Sequence, residues 1–410
     1  MVSEVSRWFR ISLLNLSIVA FIGVLLRYKI AFSLPFLDQH YLLHGHSHFA
    51  FAGWITQALM TLMVSYLFVS GQTTAFKKYR NLLVLNLITA YGMVISFPLQ
   101  GYGFFAIVFS TLSIFVSYGF AFSFWKDLNE LKDERISKWW FKGSLIFSVI
   151  SSIGPFSLSY MMASDNLHEK WYLASIYFFL HFQYNGWFFF ACMGLLVHRL
   201  ELMGIHSDIF KKSFLYFFVA CIPAYFLSVL WIPIPTVIYL IVIVSALVQL
   251  YGWTLFLKLI RANIEKMRIN LSKTSRVLMI ASGLALSIKL LLQTGSTHPQ
   301  LSQIAFGFRP IVIGYLHLVL LGMITLFIIG YAISQNVIAI TKSAQNAIII
   351  FVAGVVVNEI ILMLQGVQAM QNESIPLVHY YLFGIALIMF TGIVSLVVTQ
   401  FSRMGLKGVK

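Results

Sequence analysis

Residues 44–64 read HGHSHFAFAGWITQALMTLMV, an apolar run whose polar residues are mostly gathered at one end. His48 heads it, with Gly53 and Trp54 five and six residues on. The same register returns in HFQYNGWFFFACMGLL, where His181 precedes Gly186 and Trp187, and in HLVLLGMITLFIIG, where His317 precedes Gly322. A fourth pair, His379 and Gly384, heads the last apolar run, and His40 with Gly45 makes a fifth that reads as loop. Eleven histidines and 26 glycines in 410 residues would give fewer than one such pair by chance. The first three histidines are 133 and 136 residues apart, which points to an internal repeat.

Around these runs the chain is 60% hydrophobic and only 10% charged. An ordinary soluble domain carries about 25% charged residues. The 38 Phe, 19 Tyr and 9 Trp equally exclude disorder, because that much apolar surface does not stay in water. The expected class is an all-α, polytopic membrane protein. Spans are expected near 11–27, 48–70, 81–98, 102–125, 140–162, 172–197, 213–230, 234–257, 277–294, 311–334, 345–365 and 378–400, each about as long as a bilayer core requires. The first reads as a retained helix, since no small-residue cleavage site follows it. Twelve spans and a four-helix repeat make one transmembrane domain over 1–410, with approximate repeats 1–135, 136–270 and 271–410.

Charge sets the expected orientation. Alternating the spans puts 23 of the 28 Lys and Arg residues on one side, from Arg7 and Arg10 through Lys77, Arg135, Lys212 and Arg268 to Lys342, Arg403 and Lys410. Only Arg27, Lys29, Lys170 and Arg309 fall on the other, and Lys289 lies within a span. The positive-inside rule then makes both termini cytoplasmic and places His48, His181 and His317 in the outer half of the membrane. The net charge of +15 is thus accounted for by topology, which removes nucleic acid as a partner and leaves the lipid bilayer.

Two cysteines, Cys192 and Cys221, lie in apolar runs; there is no Cys-x-x-Cys-His for covalent haem, no Walker loop and no dinucleotide glycine pattern. The histidines carry what chemistry there is. Singly, a histidine in a span reads as an interhelical hydrogen bond, but three in one register argue for a shared role. His44 and His48 share a helix face, while His46 points roughly 160° away. His379 reads as interfacial, His40 and His298 as loop, and His168, His198 and His206 as boundary or charged-loop residues. On an α-helix the +5 glycines stand about 140° from their histidines, where they admit a neighbouring helix. Lys289 and Glu359 are the most deeply placed charged residues, either as steps on a proton path or, respectively, as a snorkelling lysine and a carboxylate paired within the bundle.

The pattern resembles subunit I of the haem-copper oxidases and nitric oxide reductases, whose twelve helices form three pseudo-symmetric arcs of four. His46 to Trp54 is similar to the His-x-His-x4-Gly-Trp stretch of cbb-type oxidases, and Gly314 to Thr325 matches the second half of that stretch. The resemblance implies a protein of the bacterial inner (cytoplasmic) membrane. It implies a b-type haem held between His48, or His44, and His317, with an electron-donor protein or partner subunit, and either electron transfer or chemistry on nitric oxide or oxygen. His181 falls where the family has a copper ligand, which makes His181, Tyr184 and Tyr315 the catalytic candidates and a second iron or copper near His181 the expectation. Two departures follow directly: Tyr315 replaces the family's high-spin haem ligand, and residues 212–230 contain no histidine, so a full terminal oxidase is not expected. Other classes compatible with the residues are a proton-coupled transporter using intramembrane histidines and a haem-binding subunit or sensor without turnover.

Overall fold

The computed structural model describes residues 2–165, 168–302, 308–371, 373 and 375–407, and the regular structure among those residues is all helical. Lys410, counted above with the cytoplasmic charges, lies outside them. The long helices are α1 (Val2–Phe32), α2 (Gln39–Val69), α3 (Ala75–Gln100), α4 (Phe104–Glu130), α5 (Ser137–Ala163), α6 (169–202), α7 (Ile209–Cys221), α8 (Thr236–Ala262), α9 (Lys273–Gly295), α10 (Arg309–Ser334), α11 (Lys342–Met370) and α12 (Val378–Lys407). Among the described residues ten helices are long and apolar enough to cross a membrane. An eleventh is counted if α7 is joined to the 3₁₀ helix Pro223–Val229, from which it bends by 48°. The chain is an integral membrane protein, and apolar side chains such as Leu99 and Phe122, both more than three-quarters exposed, face the lipid.

The helices form for the reason any span does: in lipid each backbone N–H and C=O must be satisfied within the segment. Their ends are capped from the side chains at hand. Asp38 Oδ1 accepts the His40 and Tyr41 N–H groups at 2.8 and 2.9 Å to start α2, and Thr341 caps α11 through Ala344 N–H. The cap of α5 comes from elsewhere in the chain: the Glu201 carboxylate, at the end of α6, accepts Ile136 N–H, Ser137 N–H and the Ser137 hydroxyl.

Two compact units divide the chain. The first comprises Met1–Phe120 and Ile328–Lys410, in which α1 lies between α2 and α12, α2 packs on α3, and α11 pairs with α12. Gly392 lets the last pair approach closely, because a Cβ there would stand 2.6 Å from the Phe351 nitrogen. The second unit, Ala121–Phe327, packs α5 on α6, α7 on α8, and α9 on both α8 and α10. Its core is aromatic, with Trp140 edge-on to Phe214 at 5.5 Å and tilted on Phe190 at 5.3 Å.

Three expectations need correction. His40 is not a loop residue but sits in the first turn of α2, which Asp38 starts earlier than the hydropathy alone suggests. The expected span 213–230 is not one helix, since Pro223 ends α7 and the chain continues as a 3₁₀ turn. The histidine-bearing helices are not α-helical throughout: π-helix occupies Ala50–Thr56, Phe182–Phe188 and Leu318–Thr325. The 140° angle inferred for the +5 glycines therefore does not apply at Gly53, Gly186 and Gly322, which lie inside π segments, whereas Gly384 stays in α-helix.

Candidate functional site

Each π segment begins within two residues of its histidine and is seven or eight residues long. A π turn bonds i to i+5 and inserts one residue into the α ladder, which swings the following face by about 100° and leaves carbonyls short of partners. Neighbouring helices supply those partners in both units.

In the first unit Asn15 Nδ2 donates to the Gly53 carbonyl at 2.6 Å and Asn86 Nδ2 to the Ala52 carbonyl at 3.1 Å. Asn86 also donates to Gln57 Oε1 at 2.8 Å, and the Tyr91 hydroxyl donates to Asn15 Oδ1 at 2.7 Å. These buried amides on α1 and α3 were not singled out from the sequence; their signal was that of isolated asparagines inside apolar runs. On the preceding α-turns of α2, His48 stacks on Phe97 with ring centroids 4.3 Å apart, and its Nε2 is 3.4 Å from the Tyr102 hydroxyl. His44 shares those neighbours, with its ring 4.7 Å from that of Tyr102 and 6.0 Å from that of Phe97, and its Nε2 is 3.2 Å from His40 Nδ1. Glu359 is on α11 of the same unit, half-buried, and accepts from Asn358 Nδ2 at 3.2 Å.

In the second unit His181 is 1% exposed and both ring nitrogens are engaged. Nε2–H donates to the Cys221 carbonyl at 2.9 Å, and Nδ1 accepts from Asn185 Nδ2 at 3.1 Å. The Cys221 carbonyl is an orphan of the α7 break: in a continuous helix it would accept Tyr225 N–H, but that donor is taken by the Ile222 carbonyl at 3.2 Å. His181 thus closes the backbone account of a broken helix. The Cys221 thiol lies 3.8 Å from the Asn185 carbonyl, inside the second π segment.

No protein-family model matches the chain, and no curated protein matches it.

The remaining sequence candidates in this unit gather nearby. The Tyr184 hydroxyl hydrogen-bonds with Ser228 and with the Tyr315 hydroxyl, and the two phenol rings meet edge-on at 6.2 Å. Gln183 donates to the Ser151 hydroxyl at 2.8 Å. Lys289, on α9 and 4% exposed, lies within electrostatic reach of Cys221 and His181 and has no hydrogen bond or ion pair among the described residues. On α10 His317 Nδ1–H donates to the Ile313 carbonyl at 2.8 Å. A carbonyl only accepts, so the proton of the neutral ring is on Nδ1 and the lone pair on Nε2, the arrangement that metal-bound histidines use. The third π segment has its own partner, since Ser282 on α9 donates to the Met323 carbonyl at 2.6 Å.

Among the described residues no three His, Cys, Asp or Glu side chains are grouped as a metal cage. A copper at His181 does not fit these contacts: Nε2 is committed to a backbone carbonyl and Nδ1 to Asn185. A haem asks one lone pair of each axial histidine, and the tautomer of His317 places its lone pair on Nε2.

Proposed function

We propose that the chain is a haem-copper-oxidase-like protein of the bacterial inner membrane. In this reading it has twelve spans in three arcs with both termini cytoplasmic, and α6 is a span whose apolar run is diluted by the internally bonded Gln183, Tyr184 and Asn185. On the resemblance, His48 and His317 are the axial ligands of a b-type haem, with His48 preferred to His44 because its glycine register matches that of His317. Such a haem supplies one-electron transfer between the chain and a donor protein or subunit. The observation that carries the reading is the π segment that follows each of His48, His181 and His317, a local device repeated at the spacing of a four-helix arc. π segments inside α-helices are frequent at functional sites. The pair of metals that splits dioxygen is not part of the proposal, since His181 is used by the protein itself and Tyr315 is hydrogen-bonded to Tyr184.

The test is a reduced-minus-oxidised visible spectrum of the purified protein together with metal analysis. A sharp α band that His317→Ala abolishes is expected. Unchanged haem content and an unchanged low-spin spectrum in His317→Ala would sink the ligand assignment, and a colourless wild-type protein would sink the haem.

One observation favours a second reading, a proton-coupled transporter. The break at Ile222 and Pro223 lies in a helix of the same unit as the buried Lys289, which has no ion pair among the described residues, and discontinuous helices mark many transporter binding sites. That reading expects colourless protein that moves protons into vesicles with a solute, and loses this in Lys289→Met.

A further inference from the structure

The start of α2 holds a pair of imidazoles that the proposed haem site does not use. His40 and His44 are one turn apart on the same face, as residues at i and i+4 are, and their rings stand nearly perpendicular with centroids 4.2 Å apart. His40 Nδ1 and His44 Nε2 approach to 3.2 Å. Two imidazole nitrogens bound to one tetrahedral zinc at about 2.0–2.1 Å would stand about 3.3–3.4 Å apart. The two nitrogens are therefore as close as one ion requires of two ligands, held by the hydrogen bond that the ion would replace. His40 is exposed and His44 half-buried, so the pair opens to solvent. Negative charge is at hand: the Asp38 carboxylate caps the helix two residues before His40 and lies within electrostatic reach of His44.

We propose that His40 and His44 bind one divalent transition-metal ion, copper(II) or zinc, from the aqueous phase, with water filling the remaining positions. Imidazole nitrogens suit both ions, and copper binds the tighter of the two. Binding displaces whatever proton the pair shares, so it releases protons as it occurs. The site stands independently of the haem, which the proposed reading assigns to His48 and His317.

Titrating the full chain in detergent with Cu²⁺ alone, followed by electron paramagnetic resonance, and with Zn²⁺ alone, followed by calorimetry, tests it. One ion per chain is expected, with nitrogen couplings from two imidazoles. His40→Ala and His44→Ala should each weaken binding at least tenfold and leave a single coupled nitrogen, whereas His298→Ala, an exposed histidine elsewhere, should change neither quantity. His40 is exposed, so its replacement should leave the melting temperature alone, and a loss of binding there reports the site rather than the fold. Equal affinity in wild type and His40→Ala, or an equal loss in His298→Ala, would overturn the proposal. A colourless protein that still binds copper at this pair would refute the haem and leave the site standing.

Discussion

Replacing His181 by phenylalanine separates a ligand from a helix clamp. The substitution keeps a ring in place, so little cavity opens, but it removes the donor to the Cys221 carbonyl and the acceptor for Asn185. The donor an unbroken helix would give that carbonyl is already used, because Tyr225 N–H is bonded to Ile222. An orphaned buried carbonyl costs about 1–3 kcal/mol, while interhelical hydrogen bonds in membranes average about 0.6 kcal/mol because the unfolded state also finds partners. A net loss of about 2 kcal/mol follows for His181→Phe. With roughly 2–4 °C per kcal/mol for units of this size, the melting temperature should fall by roughly 4–8 °C. The assay is thermal unfolding of the detergent-solubilised protein by tryptophan fluorescence, with metal content measured in parallel. His181→Gln, whose amide can still donate, should recover part of the loss. An unchanged melting temperature accompanied by loss of a bound metal would refute the reasoning, because His181 would then be a ligand and its hydrogen bonds incidental.

Gly186→Ala should destabilise by about 1–3 kcal/mol, since its Cβ would stand 2.4 Å from Phe147 Cβ and the α5 to α6 contact must open; the same melting assay reads it, and Phe147→Leu in the alanine background should not relieve a clash made with Cβ itself. Asn86→Leu leaves the Ala52 carbonyl and Gln57 without their donor and should cost about 1–3 kcal/mol, with a wild-type melting curve as the contrary result. Oxygen uptake by the isolated chain with an artificial donor should stay at background, because residues 212–230 bring no imidazole and His181 is occupied; rapid cyanide-sensitive uptake would contradict this.

Hydropathy located the helices because apolar runs of bilayer length have few alternatives in lipid, and the ten long apolar helices among the described residues each overlap one of the twelve expected segments. It misjudged the places where backbone chemistry, rather than apolarity, decides. Asp38 was visible as a helix-starting residue, yet His40 was read as loop because the apolar run begins later. Pro223 was equally visible, but the surrounding residues are apolar enough to suggest an unbroken span. The π segments left no mark, since a reading by the 3.6-residue period assumes the ladder it is meant to detect. The partners of the site histidines were also out of reach: Cys221 is 40 residues from His181 and Tyr102 is 54 from His48.

The three π segments share a backbone form but not the side chains that complete it. Asparagines on two helices serve the first, a thiol reaches the second, and a serine hydroxyl serves the third. If those polar groups had created the π turns, three different chemistries would have had to arrive at one geometry at matching positions. The three stretches share a histidine followed at the fifth residue by glycine, but that pair alone does not make a π turn, since His379 with Gly384 and His40 with Gly45 lie in α-helix. Glycine tolerates the tighter approach of neighbours that the extra residue forces, as Phe147 at Gly186 illustrates, and the freed carbonyls then take whichever donor the adjacent helix presents. On this view Asn86, Cys221 and Ser282 stabilise a register that they do not set, so substituting them should weaken the protein while leaving the histidines where they are.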